Sequence, residues 1–493
     1  MSTNKNFSAI TAQAKKLPWL PICLILLVII FFSIRLIITY DSAHYLNYVS
    51  IFEGNLPASS WDIVRGPVFP AIIFLFDTIF GKTGTGILVG IFIFYLIFAI
   101  TCYCTCKEIC KHYKHKTLIT NILLTVLILN PLIMGYFHVL LTEFIAITFT
   151  LLNILLAYKW LHCDTHSKKQ LIFYSIYFIF SVIFCYHLKQ SYIIVAFIPL
   201  ITATIISIVR QHTKKNILYR SGTLLLSLFF FFTSLIAWNT ILQRMGVDMD
   251  TGRDSSSMLS QQLLKAYQIT YDQDSDGKND PLSTMDAIGV LFRDFISNPT
   301  HITSTYVRNY CGLTSVCVIS SDDTVDYIST FDFNGLETFE NTTIGYRPYS
   351  VSPSIFEMTD SLYSNASIYG DSTNRSLIAK IMVLFKGPAN LLFKLSLILC
   401  LPSIIVLIIF RIKYKNPKHS ALFALSLILL ITAFLHLAFS AGIGLIIDRY
   451  VIEAFVPSVL GIFSTSTYCY FTKFHSTNSP HHKTFTKKEL KHA

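Results

Sequence analysis

A few ionisable residues stand where an apolar chain has little reason to carry them. Asp41, in Thr39-Tyr-Asp-Ser-Ala-His44-Tyr45, follows a long apolar run by a few residues. A carboxylate at a membrane boundary is partly desolvated, which shifts it toward the proton affinity of a useful general base. His44 and Tyr45 fall one turn away from it if the segment is helical. The competing reading is a helix end facing water. Glu143, in Leu141-Thr-Glu-Phe, opens a second apolar run, at a depth where charge is costly and tends to be kept for function. An acid that merely complements a helix N-terminus would look the same. Arg65 in Arg-Gly-Pro-Val-Phe-Pro70, Lys189 in His187-Leu-Lys-Gln-Ser and Arg449 in Asp448-Arg-Tyr-Val are basic residues at the end of the apolar runs where basic residues are scarce. Convergent Arg and Lys there suit a lipid phosphate, since a guanidinium holds phosphate oxygens bidentately. Snorkelling toward headgroups is the plainer alternative.

Asp272-Gln-Asp274-Ser-Asp276-Gly-Lys-Asn-Asp280 has the alternating carboxylates and central Gly of a calcium loop, with Ser283 where the closing Glu would stand. It reads either as a divalent-cation site or as a solvated acidic turn. The cysteines lie mostly inside apolar runs and form no disulfide framework; Cys311 and Cys317 are the one pair whose setting would permit a bridge. Cys102, Cys104, Cys106 and Cys110 fit no zinc spacing and are expected to pack as small hydrophobes. Sequons stand at Asn341, Asn365 and Asn374. Nothing matches a Walker loop, a dinucleotide fingerprint, a zinc-protease helix or a serine-hydrolase elbow.

These residues need elements to hold them, and composition says in what medium. Of the 493 residues 53% are hydrophobic and 14% charged, against the roughly 25% charged of a soluble domain, so the chain belongs in lipid. The net charge of +11 does not indicate nucleic acid. The Lys and Arg are grouped beside apolar runs, at Lys15–Lys16, Lys107–Lys116, Lys168–Lys169 and Arg210–Lys215, which is the positive-inside pattern. About ten spans are expected, near 17–38, 87–106, 117–136, 140–158, 171–187, 192–209, 217–239, 389–410, 420–440 and 450–471, with both termini cytoplasmic. The first run is too long for a signal-peptide core and is expected to be retained. Pro67–Phe80, about 14 residues and roughly 21 Å as a helix, is too short to cross, and counting it would invert every later loop. It is expected as a juxtamembrane or re-entrant helix on the outer leaflet. The organisation that follows is a membrane module over 1–239 with its first outer loop at 39–86, and a large extracytoplasmic loop domain of α or α+β type over 240–388. C-terminal spans over 389–471 and a basic cytoplasmic tail over 472–493 complete it. Helical patterning within the loop domain falls at Met258–Thr270 and Met285–Phe295.

In order along the chain come a first span, Asp41-x-x-x-Tyr45, Gly54, Arg65-Gly-Pro-x-x-Pro70, a short amphipathic stretch, Leu-Leu-Thr-Glu143 opening another span, and Arg449-Tyr followed by Pro457. This order resembles the GT-C superfamily of membrane glycosyltransferases, which includes protein mannosyltransferases and the aminoarabinose transferases of lipid A. The resemblance covers residues 17 to about 239. It departs from the family at Asp41-Ser42, where an acidic doublet is common, and at Gly66-Pro67, where paired prolines are usual.

The resemblance implies an all-α polytopic GT-C-like fold with juxtamembrane helices in the first outer loop, in a bacterial inner membrane. It implies a polyprenyl-phosphate sugar as donor and a glycan, lipid or protein as acceptor. Asp41 would be the general base of an inverting transfer. Arg65, Lys189 and Arg449, with His44 and Tyr45, would hold the donor phosphate, and Glu143 would orient the acceptor or assist a divalent cation. Two other readings compete: an oligosaccharide polymerase or ligase that grips its acceptor with the 240–385 loop, and a non-enzymatic flippase for a lipid-linked sugar, whose polar groups would sit at the midplane.

Overall fold

Hydrocarbon offers no partner to a backbone N–H or C=O, so an apolar run that enters it folds as a helix. The computed structural model describes residues 19–34, 36–38, 40–61, 65–81, 84–163, 168–210, 214–247, 267, 284–314, 366–368, 384–414, 419–443 and 451–477. The chain begins with α1 (Trp19–Phe32), β1 (Leu36–Ile38), α2 (Tyr40–Phe52), a 3-10 turn at Ala58–Ser60 and α3 (Val68–Phe80). It continues through α4 (Gly84–Cys110), α5 (Lys116–Ile128), α6 (Pro131–Phe137), α7 (Glu143–Leu161), α8 (Lys168–Leu188), α9 (Ile193–Arg210) and α10 (Lys214–Arg244). Beyond these come α11 (Thr284–Ser297), α12 (Pro299–Thr314), β2 (Ala366–Ile368), α13 (Lys386–Tyr414), α14 (Ser420–Gly442) and α15 (Ile452–Thr477).

Among the described residues seven helices are long and apolar enough to cross a membrane: α4, α7, α8, α9, α10, α13 and α14. The bent pair α5 and α6 makes an eighth if it is one span. This is the build of a multi-pass membrane protein. The two remaining expected spans are also helical here, α1 over 14 residues and α15 over 26. The short apolar segment before Gly81 forms α3, a helix of 13 residues, in keeping with its expected length.

Two expected spans differ from the structure. The run 17–38 is not one helix, because α1 ends at Phe32. Ser33 Oγ turns back onto the Ile29 carbonyl at 2.5 Å, and His138 Nε2 lies 2.9 Å from the Phe31 carbonyl. The same carbonyls also accept backbone N–H groups, Ile29 from Ser33 at 3.1 Å and Phe31 from Ile34 at 3.2 Å, so two side chains reinforce the closing turn of α1. Leu36–Ile38 then pairs in parallel with Ala366–Ile368, Leu36 opposite Ala366. The run 117–136 breaks by 53° between α5 and α6. Pro131 has no N–H to give the preceding turn, and Asn130 restarts the helix by accepting from the Leu132 N–H at 3.0 Å.

Burial sorts the spans. Within α7, 83% of the apolar window is buried, whereas in α10 the share is 11%, so α7 is a central helix and α10 a lipid-facing one. The buried amide near the middle of α7 is satisfied. Asn153 accepts from Tyr177 Oη and Ser181 Oγ, both at 2.7 Å, and donates to the Val195 carbonyl at 3.2 Å, tying α7 to α8 and α9.

The alternating helix directions give the bundle two chemically distinct ends. At one end Lys107 closes α4, Lys159 near the end of α7 pairs with Glu108, and Arg411 and Lys413 close α13. At the other lie the starts of α4 and α7, the end of α8 and the start of α15, with Glu143, Lys189 and Glu453. Helix α12 joins that second end. Tyr306 Oη donates to the Ala438 carbonyl at 3.3 Å, Asn309 to Ala441 at 3.2 Å, and Lys394 of α13 to the Leu313 carbonyl at 3.0 Å. The helical pattern at Met285–Phe295 falls in α11, while 258–266 and 268–270 lie outside the described residues.

Candidate functional site

The site begins with the loop between α2 and α3. After α2 the chain turns at Gly54, whose φ of +78° is costly for any residue with a Cβ. Trp61 then lies on Tyr48, ring centroids 4.5 Å apart, and its indole N–H donates to the Arg65 carbonyl at 2.9 Å. That anchor brings the Arg65 guanidinium over the Tyr45 ring, 4.7 Å from its centroid. Phe69 of α3 meets the same ring edge-on at 4.6 Å.

Gly66 makes the next contact. A Cβ at this position would lie 1.9 Å from the His187 carbonyl oxygen, so only glycine lets the loop touch the end of α8. Two residues beyond His187 stands Lys189, in extended backbone between α8 and α9. Its Nζ lies 3.5 Å from Glu143 Oε1 and 5.2 Å from the centre of the Tyr192 ring. Thr142 Oγ1 donates to Glu143 Oε2 at 3.3 Å and sits 3.2 Å from Tyr192 Oη. One hydroxyl hydrogen serves one acceptor, so with Thr142 donating to the carboxylate, Tyr192 donates to Thr142. Glu143 is 1% exposed, which explains why its charge is met by a lysine and a hydroxyl.

Sequence reasoning missed a second carboxylate. Glu453, in the first turn of α15, is 1% exposed and places Oε2 3.3 Å from Nε2 of His436 on α14. Both Glu143 and Glu453, and Tyr45 as well, are within electrostatic reach of the Tyr192 hydroxyl. Its signal was the one used for Glu143, a single acid in an apolar run, Val451-Ile-Glu-Ala-Phe-Val456. The buried partner His436 gave no such cue, since α14 shows nothing at its position but a histidine among apolar residues.

The structure therefore unites Arg65 with Tyr45, and Lys189 with Glu143. Phe69 bridges the two groups, 6.1 Å from the Phe144 ring, next in chain to Glu143. Asp41 is in the first turn of α2, one turn before Tyr45, but its side chain and that of His44 lie outside the described residues, as does Arg449. So do Asp272, Asp274, Asp276 and Asp280, and Cys317. Among the described residues no three His, Cys, Asp or Glu side chains converge as a metal would need, and both Glu143 oxygens already have partners. The described residues of the site do not fit a divalent cation. Cys102, Cys106 and Cys110 are buried as packing residues.

No protein-family model, curated protein or solved structure matches the chain. What the site can do rests on its own chemistry. It offers two cations, each held against an aromatic face, beside buried acids at one end of a helical bundle.

Proposed function

We propose that the protein is an inverting membrane glycosyltransferase of GT-C type, which moves a sugar from a polyprenyl-phosphate donor to an acceptor hydroxyl on the extracytoplasmic face. The observation that carries this reading is the Arg65–Tyr45 contact, because it sets a guanidinium on α2 one turn from Asp41. In the reaction the acceptor oxygen attacks the anomeric carbon from the side opposite the phosphate and its proton passes to the Asp41 carboxylate. The carbon–oxygen bond to phosphate breaks with its electron pair, leaving a lipid phosphate of greater negative charge. Arg65 and Lys189 stabilise that charge as it develops. Glu143 acts as a positioning residue, its carboxylate 3.5 Å from the Lys189 ammonium that it holds in place. The placement of Arg65 and Lys189 at one end of the bundle rather than at its midplane favours a transferase over a flippase.

The test is mass spectrometry of glycolipids and surface glycans from cells carrying Asp41→Asn. Loss of one glycan with accumulation of its lipid-linked sugar is expected. Transfer that stays intact in purified membranes while lipid translocation disappears would make the protein a flippase, and an unchanged profile would remove Asp41 from the chemistry.

A further inference from the structure

The opposite end of the bundle carries a second arrangement that this reaction does not use. On α4, Ile93, Ile97, Ile100 and Tyr103 recur every three or four residues and are exposed, and the same face runs on into Lys107 and Lys111. Helix α5 packs beside α4 and leads off with Lys116. Its exposed Leu118, Ile122 and Val126 form a parallel apolar stripe at fourth-residue spacing. Where the stripes meet the basic end, a cavity of about 120 Å³ opens between the helices, lined among others by Tyr103, Lys107, Lys111, Lys116, Thr120 and Asn121.

The charges there are unbalanced. Glu108 is engaged by Lys111 at 3.4 Å and by Lys159, and it is not part of the cavity lining. Among the described residues neither Lys107 nor Lys116 has an acidic partner. Ammonium groups gathered round one cavity repel each other until an anion joins them. Tyr103, Thr120 and Asn121 add neutral donors that phosphate oxygens can accept from.

We propose that this cavity binds the phosphate of an anionic phospholipid whose acyl chains lie along the exposed stripes of α4 and α5. Free phosphate would satisfy the lysines equally, but it would make no use of an apolar track leading into the cavity. A lipid uses both, because its apolar chains are joined to its anionic headgroup and the exposed residues of the two helices lead into the lysine-lined cavity. Basic pockets between membrane helices are a known physical solution for anionic headgroups.

The test uses the full-length protein in detergent and native mass spectrometry, titrating phosphatidylglycerol, phosphatidylcholine or inorganic phosphate. The wild type is expected to retain phosphatidylglycerol in preference to phosphatidylcholine. The double variant Lys107→Gln, Lys116→Gln is expected to lose affinity for it roughly 25-fold, at about fivefold per lysine, with phosphatidylcholine unaffected. Both side chains are exposed, so folding should survive, and a melting curve together with rescue by Lys107→Arg, Lys116→Arg guards against the contrary. Equal retention by wild type and the glutamine variant overturns the proposal, as does a wild type with no preference for the anionic lipid. Inorganic phosphate that displaces phosphatidylglycerol at similar concentration would make the site one for free phosphate instead, and also overturns it.

Discussion

Glu143 and Lys189 test whether a buried pair is structural, functional or both. The acid is 1% exposed while the lysine side chain is 23% exposed, so the two substitutions are not equivalent. Removing the lysine strands a charge in the interior, a loss of about 3–5 kcal/mol for a fully buried pair and less here because water reaches the ammonium. Lys189→Met is therefore expected to lower both the melting temperature and donor affinity. Adding Glu143→Gln to it should restore the melting temperature, since an uncharged pair leaves no orphan, yet leave donor affinity low. Recovery of both would strip Lys189 of any role with phosphate. Arg65 admits a cleaner measurement: Arg65→Ala should raise the KM for the lipid donor about tenfold or more, at about 1.5–3 kcal/mol for a charge-assisted hydrogen bond, and leave the acceptor KM nearly unchanged. Equal effects on the two substrates would reduce Arg65 to a folding residue. These residues were legible in the sequence because an ionisable group in an apolar context stands out unaided. Their pairing was not, since 46 positions of chain separate Glu143 from Lys189, and Glu453 went unread although it carried the same mark.

Helix positions followed from hydropathy, and helix ends followed less well, because an end is decided by a few polar contacts. The break of α1 at Phe32 draws on His138, 107 positions along the chain from Phe31, and the kink at Pro131 on the Asn130 side chain, a contact inside its own run that hydropathy does not weigh. The length of α3 was legible because a short apolar helix can only lie at or dip into the interface. What no pattern could reveal is the contact that seats the loop before it. Gly66 touches the His187 backbone where a methyl group would overlap the carbonyl oxygen. Gly66→Ala is thus expected to push the loop from the end of α8, lowering stability by about 1–3 kcal/mol, the range for overpacking, and weakening donor binding through Arg65. A variant with wild-type melting and wild-type donor KM would mean that the approach of loop and helix has no part in the site. Asn153 offers the complementary case in the bundle interior. Asn153→Ala leaves the hydroxyls of Tyr177 and Ser181 without their acceptor and should destabilise by about 1–2 kcal/mol without changing donor KM.

At the scale of the molecule the decisive property is that Lys107, Lys159, Arg411 and Lys413 gather at the end of the bundle opposite Glu143 and Glu453. Helix α7 alone shows it, running from Glu143 in its first turn to Lys159 in its last. By the positive-inside rule this excess of lysine and arginine is expected to keep its end on the cytoplasmic side, which would expose the Arg65 and Lys189 end to the exterior. Cysteine labelling decides between this orientation and its inverse. Asn55 lies exposed just after α2 and Lys114 exposed between α4 and α5, each apart from the residues assigned to the reaction. With native thiols blocked beforehand, a membrane-impermeant maleimide should modify Asn55→Cys in intact cells and Lys114→Cys only after permeabilisation. Labels on the same side would contradict the helical bundle itself. The reverse pattern would keep the bundle but turn the site toward the cytoplasm, where soluble nucleotide sugars are within reach and a polyprenyl-phosphate donor would have no advantage.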